Sequence, residues 1–174
     1  MTAKAVEIRE ERPNDVGAIR ALNLAAFGRT QEGALIDALR TNGAISLSLV
    51  AAVEGRLVGQ ALYSPVSISL NGEEAVGAGL GPMAVIPEHQ RKGIGGDLIR
   101  AGIRILRTRG CPFIVVLGHP EYYPRFGFRP AAAQGIGCQW NVPQNAFMIL
   151  TLDESRMKGG SGLAKYRPEF SQVL

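Results

Sequence analysis

Asn71-Gly72 constrains the fold more than any other dipeptide in the chain, because alternating residues precede it. A type I′ turn needs positive φ at both central residues, which Asn-Gly supplies at little steric cost. Upstream, Val66, Ile68 and Leu70 alternate with Ser67 and Ser69, the two-residue period of a strand with one apolar face. The pattern predicts a strand over 57–70 and a second arm over about 75–85, paired antiparallel. A parallel partner would need a crossover of roughly a dozen residues. Pro82 interrupts the second arm and has no N–H for a ladder, which predicts an edge or a bulge there and an opening with a functional use.

The second arm ends at Val85 and runs through Ile86-Pro87-Glu88-His89-Gln90-Arg91-Lys92-Gly93-Ile94-Gly95-Gly96 into a helix predicted over 94–109. Gly95, Leu98, Ile99, Gly102, Ile105 and Leu106 share one face of that helix. A strand-to-helix junction gathers backbone N–H groups that have no helical acceptor, a place where an anion can be held. Glycines allow close approach, and Arg91 and Lys92 add positive charge. The junction reads as a pyrophosphate cradle. A P-loop would require Gly-Lys-Ser or Gly-Lys-Thr, where this chain has Gly95-Gly96-Asp97. A dinucleotide fold would want a third glycine and an acid about 20 residues on, and no acid follows Asp97 before Glu121.

The flanking chain supplies the other elements. A short strand over 6–9 leads to Pro13-Asn14-Asp15, a cap for a helix to about Phe27 that places Val16, Ile19, Leu22 and Ala26 on one face. A second helix over 32–40 points Leu35, Ile36 and Leu39 inward and stops at Asn42-Gly43. A strand over 46–53 and a turn at Glu54-Gly55 follow. Gly110-Cys111-Pro112 ends the long helix, and the unbroken apolar run 113–117 reads as a central or parallel strand. A helical turn over 120–126, Gly127-Phe128 and a final strand over 147–152 complete the core. The Gly- and Ser-rich tail after Asp153 is expected to wrap the surface. No linker or repeat divides the chain, so one domain over 1–174 is expected.

Composition narrows the partners. The apolar fraction is 46%, yet no run approaches the ~20 apolar residues of a membrane span, and the N-terminus lacks the apolar core of a secretory signal. Net charge is +4, but only 6% of residues are aromatic and no basic run of five or more appears, which argues against nucleic acid. Cys111 and Cys138 have neither disulfide nor metal-ligand spacing; they are expected as buried apolar residues in a reducing cytoplasm.

Two motifs then converge. Gln90-Arg91-Lys92-Gly93-Ile94-Gly95, preceded by Met83-Ala84-Val85-Ile86-Pro87, resembles the cofactor signature of the GNAT N-acetyltransferases. Tyr123-Pro124-Arg125-Phe126-Gly127-Phe128 resembles the Tyr-three-residues-Gly-Phe element of the same family, in the right order and beyond one helix and one strand. The segment 117–123 is similar to a subgroup of bacterial acetyltransferases. The resemblance covers essentially the whole chain and implies an α/β (α+β) fold, a mixed, mostly antiparallel sheet flanked by helices and splayed at the acyl-CoA site. It implies acetyl-CoA as acetyl donor and a primary amine, on a small molecule or a protein, as acceptor, with no nucleic acid and no membrane; a homodimer is compatible with it. Backbone groups of Met83, Ala84 and Val85 would hold the acyl-pantetheine arm. Amides of Arg91, Lys92, Gly93, Ile94, Gly95 and Gly96 would hold the pyrophosphate. Tyr123 would be the general acid toward the departing thiolate, with Tyr122 in reserve.

The chain also departs from the family. Neither 76–85 nor 113–117 contains a carboxylate, and Gly118-His119 replaces an asparagine common in relatives. Glu32, Glu88, Glu121 and His119 are the remaining base candidates, each expected as a solvated surface residue. An α-amine with a pKa close to 8 would need no strong base. His89 is expected exposed, Arg100, Arg104 and Arg107 on a solvated helix face, and Trp140 in core packing. Two other readings stand beside amine acetylation: an acyl-CoA-binding or regulatory module without turnover, and transfer of a longer acyl group.

Overall fold

Two hairpins of the same design organise the strands. Glu54 and Gly55, with φ of 50° and 79°, and Asn71 and Gly72, with φ of 50° and 79°, place both central residues in the left-handed region that a type I′ turn demands. The computed structural model describes residues 3–173. It divides into one compact unit of residues 3–63, Pro82–Gly102 and 169–173 and a second of Ser64–Gly81 and Ile103–Pro168.

The first unit contains β1 (Val6–Glu10), α1 (Val16–Phe27), α2 (Gln31–Thr41), β2 (Leu47–Val53) and the opening half of β3 (Arg56–Leu70). It also holds the end of β4 (Glu73–Val85) and the start of α3 (Ile94–Thr108). β1 pairs antiparallel with β2 from Val6↔Val53 to Glu10↔Leu49, and β2 pairs antiparallel with β3 from Leu47↔Tyr63 to Val53↔Arg56. Ile86 N–H donates to the Val58 carbonyl at 2.9 Å. A Cβ on Gly59 would lie 3.2 Å from both Ile94 and Leu98, so a small residue lets α3 seat on β3.

The cap of α1 works differently from a simple N-cap. Pro13–Asp15 is a single 3-10 turn, and the Asp15 carboxylate reaches back to accept the Arg12 N–H at 2.7 Å. The Arg9 guanidinium donates to both Asp15 oxygens, at 2.7 and 3.1 Å, and holds this carboxyl below the usual range. α1 ends at Gly28, φ 69°. Leu35, Ile36 and Leu39 form the buried stripe of α2, each contributing about 1.5–3 kcal/mol by the transfer of its side chain from water.

A polar chain lies beneath these helices. Asn23 donates to Gln60 at 3.0 Å, Gln60 donates to Ser48 at 3.2 Å, and Ser48 donates to Glu11, which also accepts from Arg40. Asn23 and Gln60 are fully buried. Periodicity assigns such positions to apolar residues, so the hydropathy pattern does not mark these two.

The second unit holds the rest of the β3–β4 hairpin with β5 (Phe113–Leu117), β6 (Arg129–Pro130), β7 (Ile136–Cys138), β8 (Phe147–Thr151) and β9 (Gly162–Lys165). β5 pairs parallel with β4 from Ala78↔Ile114 to Leu80↔Val116 and antiparallel with β8, which also carries β6. Val66, Ile68, Phe113, Val115, Phe147 and Ile149 are core residues here. α3 ends in a Schellman motif: Gly110, φ 77°, donates to Arg107 O and Cys111 N–H to Leu106 O.

The tail corrects an expectation. Phe147–Thr151 is not the last strand, because β9 pairs antiparallel with β3 at Ser67↔Lys165 and Ile68↔Ala164 and parallel with β7. A Cβ on Gly162 would sit 2.6 Å from the Ser69 carbonyl, so only glycine permits this approach. The strand buries Ala164 alone among its four residues, too weak an apolar signal to read. Cys111 and Cys138 are half-buried rather than buried, and burial still pushes both thiols up.

Candidate active site

The loop between β4 and α3 is built by its own hydrogen bonds. Pro87–His89 makes one 3-10 turn, closed by His89 N–H on the Ile86 carbonyl at 2.9 Å. The Gln90 side-chain amide donates to the Val85 carbonyl at 2.9 Å, and so ties the loop to the strand it leaves. Arg91 and Gly93 both have left-handed φ, 60° and 85°. Asp97 N–H then donates to Gly93 O at 3.0 Å, the first helical bond of α3. Ile94, Gly95 and Gly96 therefore present first-turn amides that no helical carbonyl can reach. Arg91, Lys92 and Gly93 are exposed beside them. Amides, the positive end of the helix dipole and two cations meet in one short segment, a donor set that fits a pyrophosphate. Upstream, Ala84 is buried, and Met83 and Val85 are half-buried. The β4–β5 ladder ends at Leu80↔Val116, short of Pro82, so the proline withholds no N–H from it. Gly81, φ 144°, marks that end.

Tyr123 opens a 3-10 turn, Tyr123–Phe126, that Gly127 closes with φ 96° and an N–H bond to Pro124 O at 3.1 Å. This explains the Gly-Phe spacing. Glycine takes the left-handed closure, and Phe128, buried, then lies edge-on to the Tyr123 ring with centroids 5.8 Å apart. Tyr122 also packs edge-on to Tyr123, at 5.1 Å, its own ring covered by Arg125 at 5.5 Å. A Cβ on Gly118 would run into the Tyr123 ring. Burial, with the neighbouring Tyr122 as a lesser cause, pushes the Tyr123 phenol up to about 12. The hydroxyl keeps its proton at neutral pH.

Met83, Ala84, Val85 and Arg91 to Gly96 all lie in the first unit, whereas Tyr123 lies in the second. Among the base candidates, Glu88, His119 and Glu121 are exposed, as expected. Glu32 is not: it is buried in the first turn of α2 and paired with Arg29. His89, the last residue of the 3-10 turn, is half-buried with its Nδ1 covered, rather than exposed. Arg100, Arg104 and Arg107 are exposed, and the half-buried Trp140 ring lies against Tyr166, centroids 4.8 Å apart.

Ladders that are antiparallel except at β4–β5 and β7–β9, with the strand, glycine loop and helix in this order, give the mixed α/β architecture of a GNAT fold. The chain belongs to the GNAT acetyltransferase family, whose acetyltransferase (GNAT) domain matches residues 7–131. It is 34% identical over 166 residues to the uncharacterized N-acetyltransferase YhbS of Escherichia coli K12, covering 95% of this chain and 98% of that protein. The crystal structure of E. coli YhbS in complex with CoA superposes with a TM-score of 0.92 at 32% identity, over 100% of this chain and 96% of that one. A GNAT acetyltransferase from Brucella melitensis in complex with acetyl-CoA gives 0.79 at 36% identity, over 97% and 99%. No helix among the described residues is long and apolar enough to cross a membrane.

Proposed function

We propose that the protein transfers the acetyl group of acetyl-CoA to a primary amine. The observation that carries this reading is the loop in which Gln90 ties down the Val85 carbonyl while the first-turn amides of α3 stand beside exposed Arg91 and Lys92. The similar YhbS and Brucella proteins, crystallised with CoA and acetyl-CoA, support the same ligand here. Amides from Arg91 to Gly96 hold the pyrophosphate, and backbone groups of Met83, Ala84 and Val85 align the acyl-pantetheine arm. The neutral amine attacks the thioester carbon, a C–N bond forms and the C–S bond breaks. Tyr123 gives its proton to the departing thiolate and recovers one from solvent, while the nitrogen loses its extra proton. The products are an amide and CoA. We read residues 1–174 as one domain, since the family match takes in residues of both units, and the cytoplasm as its setting.

A thiol-release assay across a panel of amines, on the native chain and on Tyr123→Phe, tests this. Turnover with at least one amine and its loss in Tyr123→Phe are expected. Turnover untouched by that substitution would remove the general acid. Stabilisation by acetyl-CoA without any turnover would favour a binding module; at 100 times Kd a ligand adds about 2.7 kcal/mol, enough to read as a melting shift.

A further inference from the structure

Two aromatic rings stand together where β4 leaves β5. β7 and β9 run parallel with Cys138 opposite Ala164, so the residues two steps on, Trp140 and Tyr166, come side by side. Their ring centroids are 4.8 Å apart, and the Tyr166 N–H donates to Gln139 Oε1 at 2.6 Å, which ties the two segments together. The Tyr166 ring lies on Gly79, where a Cβ would come within 2.8 Å of Cε1. Gly79 pairs with Val115, one step before the last β4–β5 pair, Leu80↔Val116. Past that pair a Cβ on Gly81 would meet nothing within 4 Å, so the parting strands leave open space. Both rings are half-buried, each with surface left for a ligand to cover. All of these residues belong to the second unit.

Alternation along the strands sets Tyr123 on the other face. Tyr166 meets β4 at Gly79, which shares a face with its ladder partner Val115. Tyr123 meets the end of β5 at Gly118, three residues past Val115, where the Gly118 N–H still bonds Ala146 O at 2.9 Å. An odd step along a strand reverses the side. On the reading that the protein acetylates a primary amine, with the thioester where β4 and β5 part, the proton donor stands on one face. The aromatic pair stands on the face left for the attacking amine. Segments 136–147 and 162–168, which carry the two rings, contain no Asp or Glu, so neither offers a carboxylate to a second ammonium group. Neither 76–85 nor 113–117 supplies a base, which favours an α-amine with a pKa close to 8. A flat apolar group is the one that Trp and Tyr rings pack against best. We propose that Trp140 and Tyr166 bind the non-reacting part of the acceptor, and that the acceptor is an α-amine carrying an aromatic side chain.

The test assays the full chain with L-phenylalaninamide, glycinamide and spermidine as acceptors. The value of kcat/KM for phenylalaninamide is expected to exceed that for glycinamide about ten- to a hundredfold, since the two differ only by the ring-bearing side chain. Trp140→Ala is expected to cut that ratio to about threefold or less by raising the phenylalaninamide KM, and Trp140→Phe to restore most of it. Glycinamide, with no ring to place, loses less, and the acetyl-CoA melting shift stays as in the native chain. Equal use of phenylalaninamide and glycinamide, a preference for spermidine, or a ratio untouched by Trp140→Ala overturns the proposal. So does an equal loss for both amides, which would mark a structural role. Trp140 is the chain's one tryptophan, so its fluorescence reports on the rings in the native protein. If Trp140→Ala does not fold, or the native chain acetylates none of the three, that emission decides. A saturable change with phenylalaninamide and none with glycinamide supports the site; no change, or the same change with both, overturns it. Absence of any acetyl-CoA melting shift in the native chain would instead strike at the acetyltransfer reading itself, and the fluorescence titration would still decide on the ring pair.

Discussion

The side chain of Gln90 donates to the main-chain oxygen of Val85, five residues back, at 2.9 Å. The bond spans the 3-10 turn and fixes where α3 begins relative to the end of β4. Gln90→Leu removes it without touching a backbone group that would meet the ligand. A bond of this kind contributes about 0.5–1.5 kcal/mol net, so acetyl-CoA affinity is expected to fall about two- to tenfold with the melting temperature of the free protein little changed. Titration calorimetry of the variant checks it.

Gly93 lies at φ 85°, yet a Cβ there meets nothing within 4 Å. The glycine is required by conformation and not by space. Gly93→Val, β-branched, is therefore expected to weaken acetyl-CoA binding strongly, whereas Gly93→Asn, which tolerates the left-handed region, should retain most of it. Equal losses in the two variants would contradict this assignment.

For Tyr123 the sign is fixed by the raised phenol. A proton donor is active while protonated, and a phenol pushed up to about 12 stays protonated until far above neutrality. The rate is expected to climb as the amine deprotonates and to show no descending alkaline limb below about pH 11. Tyr123→Phe keeps the ring packed on Phe128 and should lower kcat by about a hundredfold or more, with near-native melting. Rate profiles of both proteins over pH 6–11 provide the measurement.

Gly118→Ala places a methyl group against the Tyr123 ring. Overpacking typically costs about 1–3 kcal/mol, and here the ring that must move is the one that carries the hydroxyl. The variant should lose kcat out of proportion to its loss of stability, as judged by urea unfolding alongside thiol release.

Asp15 makes a prediction about acid. Its carboxyl is lowered by the Arg9 hydrogen bonds foremost, so its contribution is present above the ordinary carboxylate pKa and is lost as pH falls through the lower folded value. Asp15→Asn is expected to cost about 1–3 kcal/mol at pH 7 and to flatten the fall in stability below about pH 4. Urea unfolding at pH 7 and pH 3 would show both.

Residues whose local chemistry is self-sufficient were legible in advance. Asn71-Gly72 carries its own turn, the α3 stripe its own period, and Gly127 its own reason to follow Phe126. What escaped depends on neighbours far along the chain. Nothing near Glu32 in sequence distinguishes a buried carboxylate from a solvated one, since the first turn of a helix welcomes either. Asn23 and Gln60 interrupt apolar faces, and only the fold reveals that each answers the other. The 3-10 turns that carry His89 and set Tyr123 on Phe128 are too short for any period to show.

β9 closes onto β3 through partners about a hundred residues apart in sequence, Ser67 with Lys165 and Ile68 with Ala164. During synthesis the outer edge of β3 therefore waits, with unpaired backbone groups, until almost the whole chain has emerged. Such an edge is a template for any passing strand. The interval before 162–165 arrives is when a nascent copy of this protein is most exposed to pairing with another.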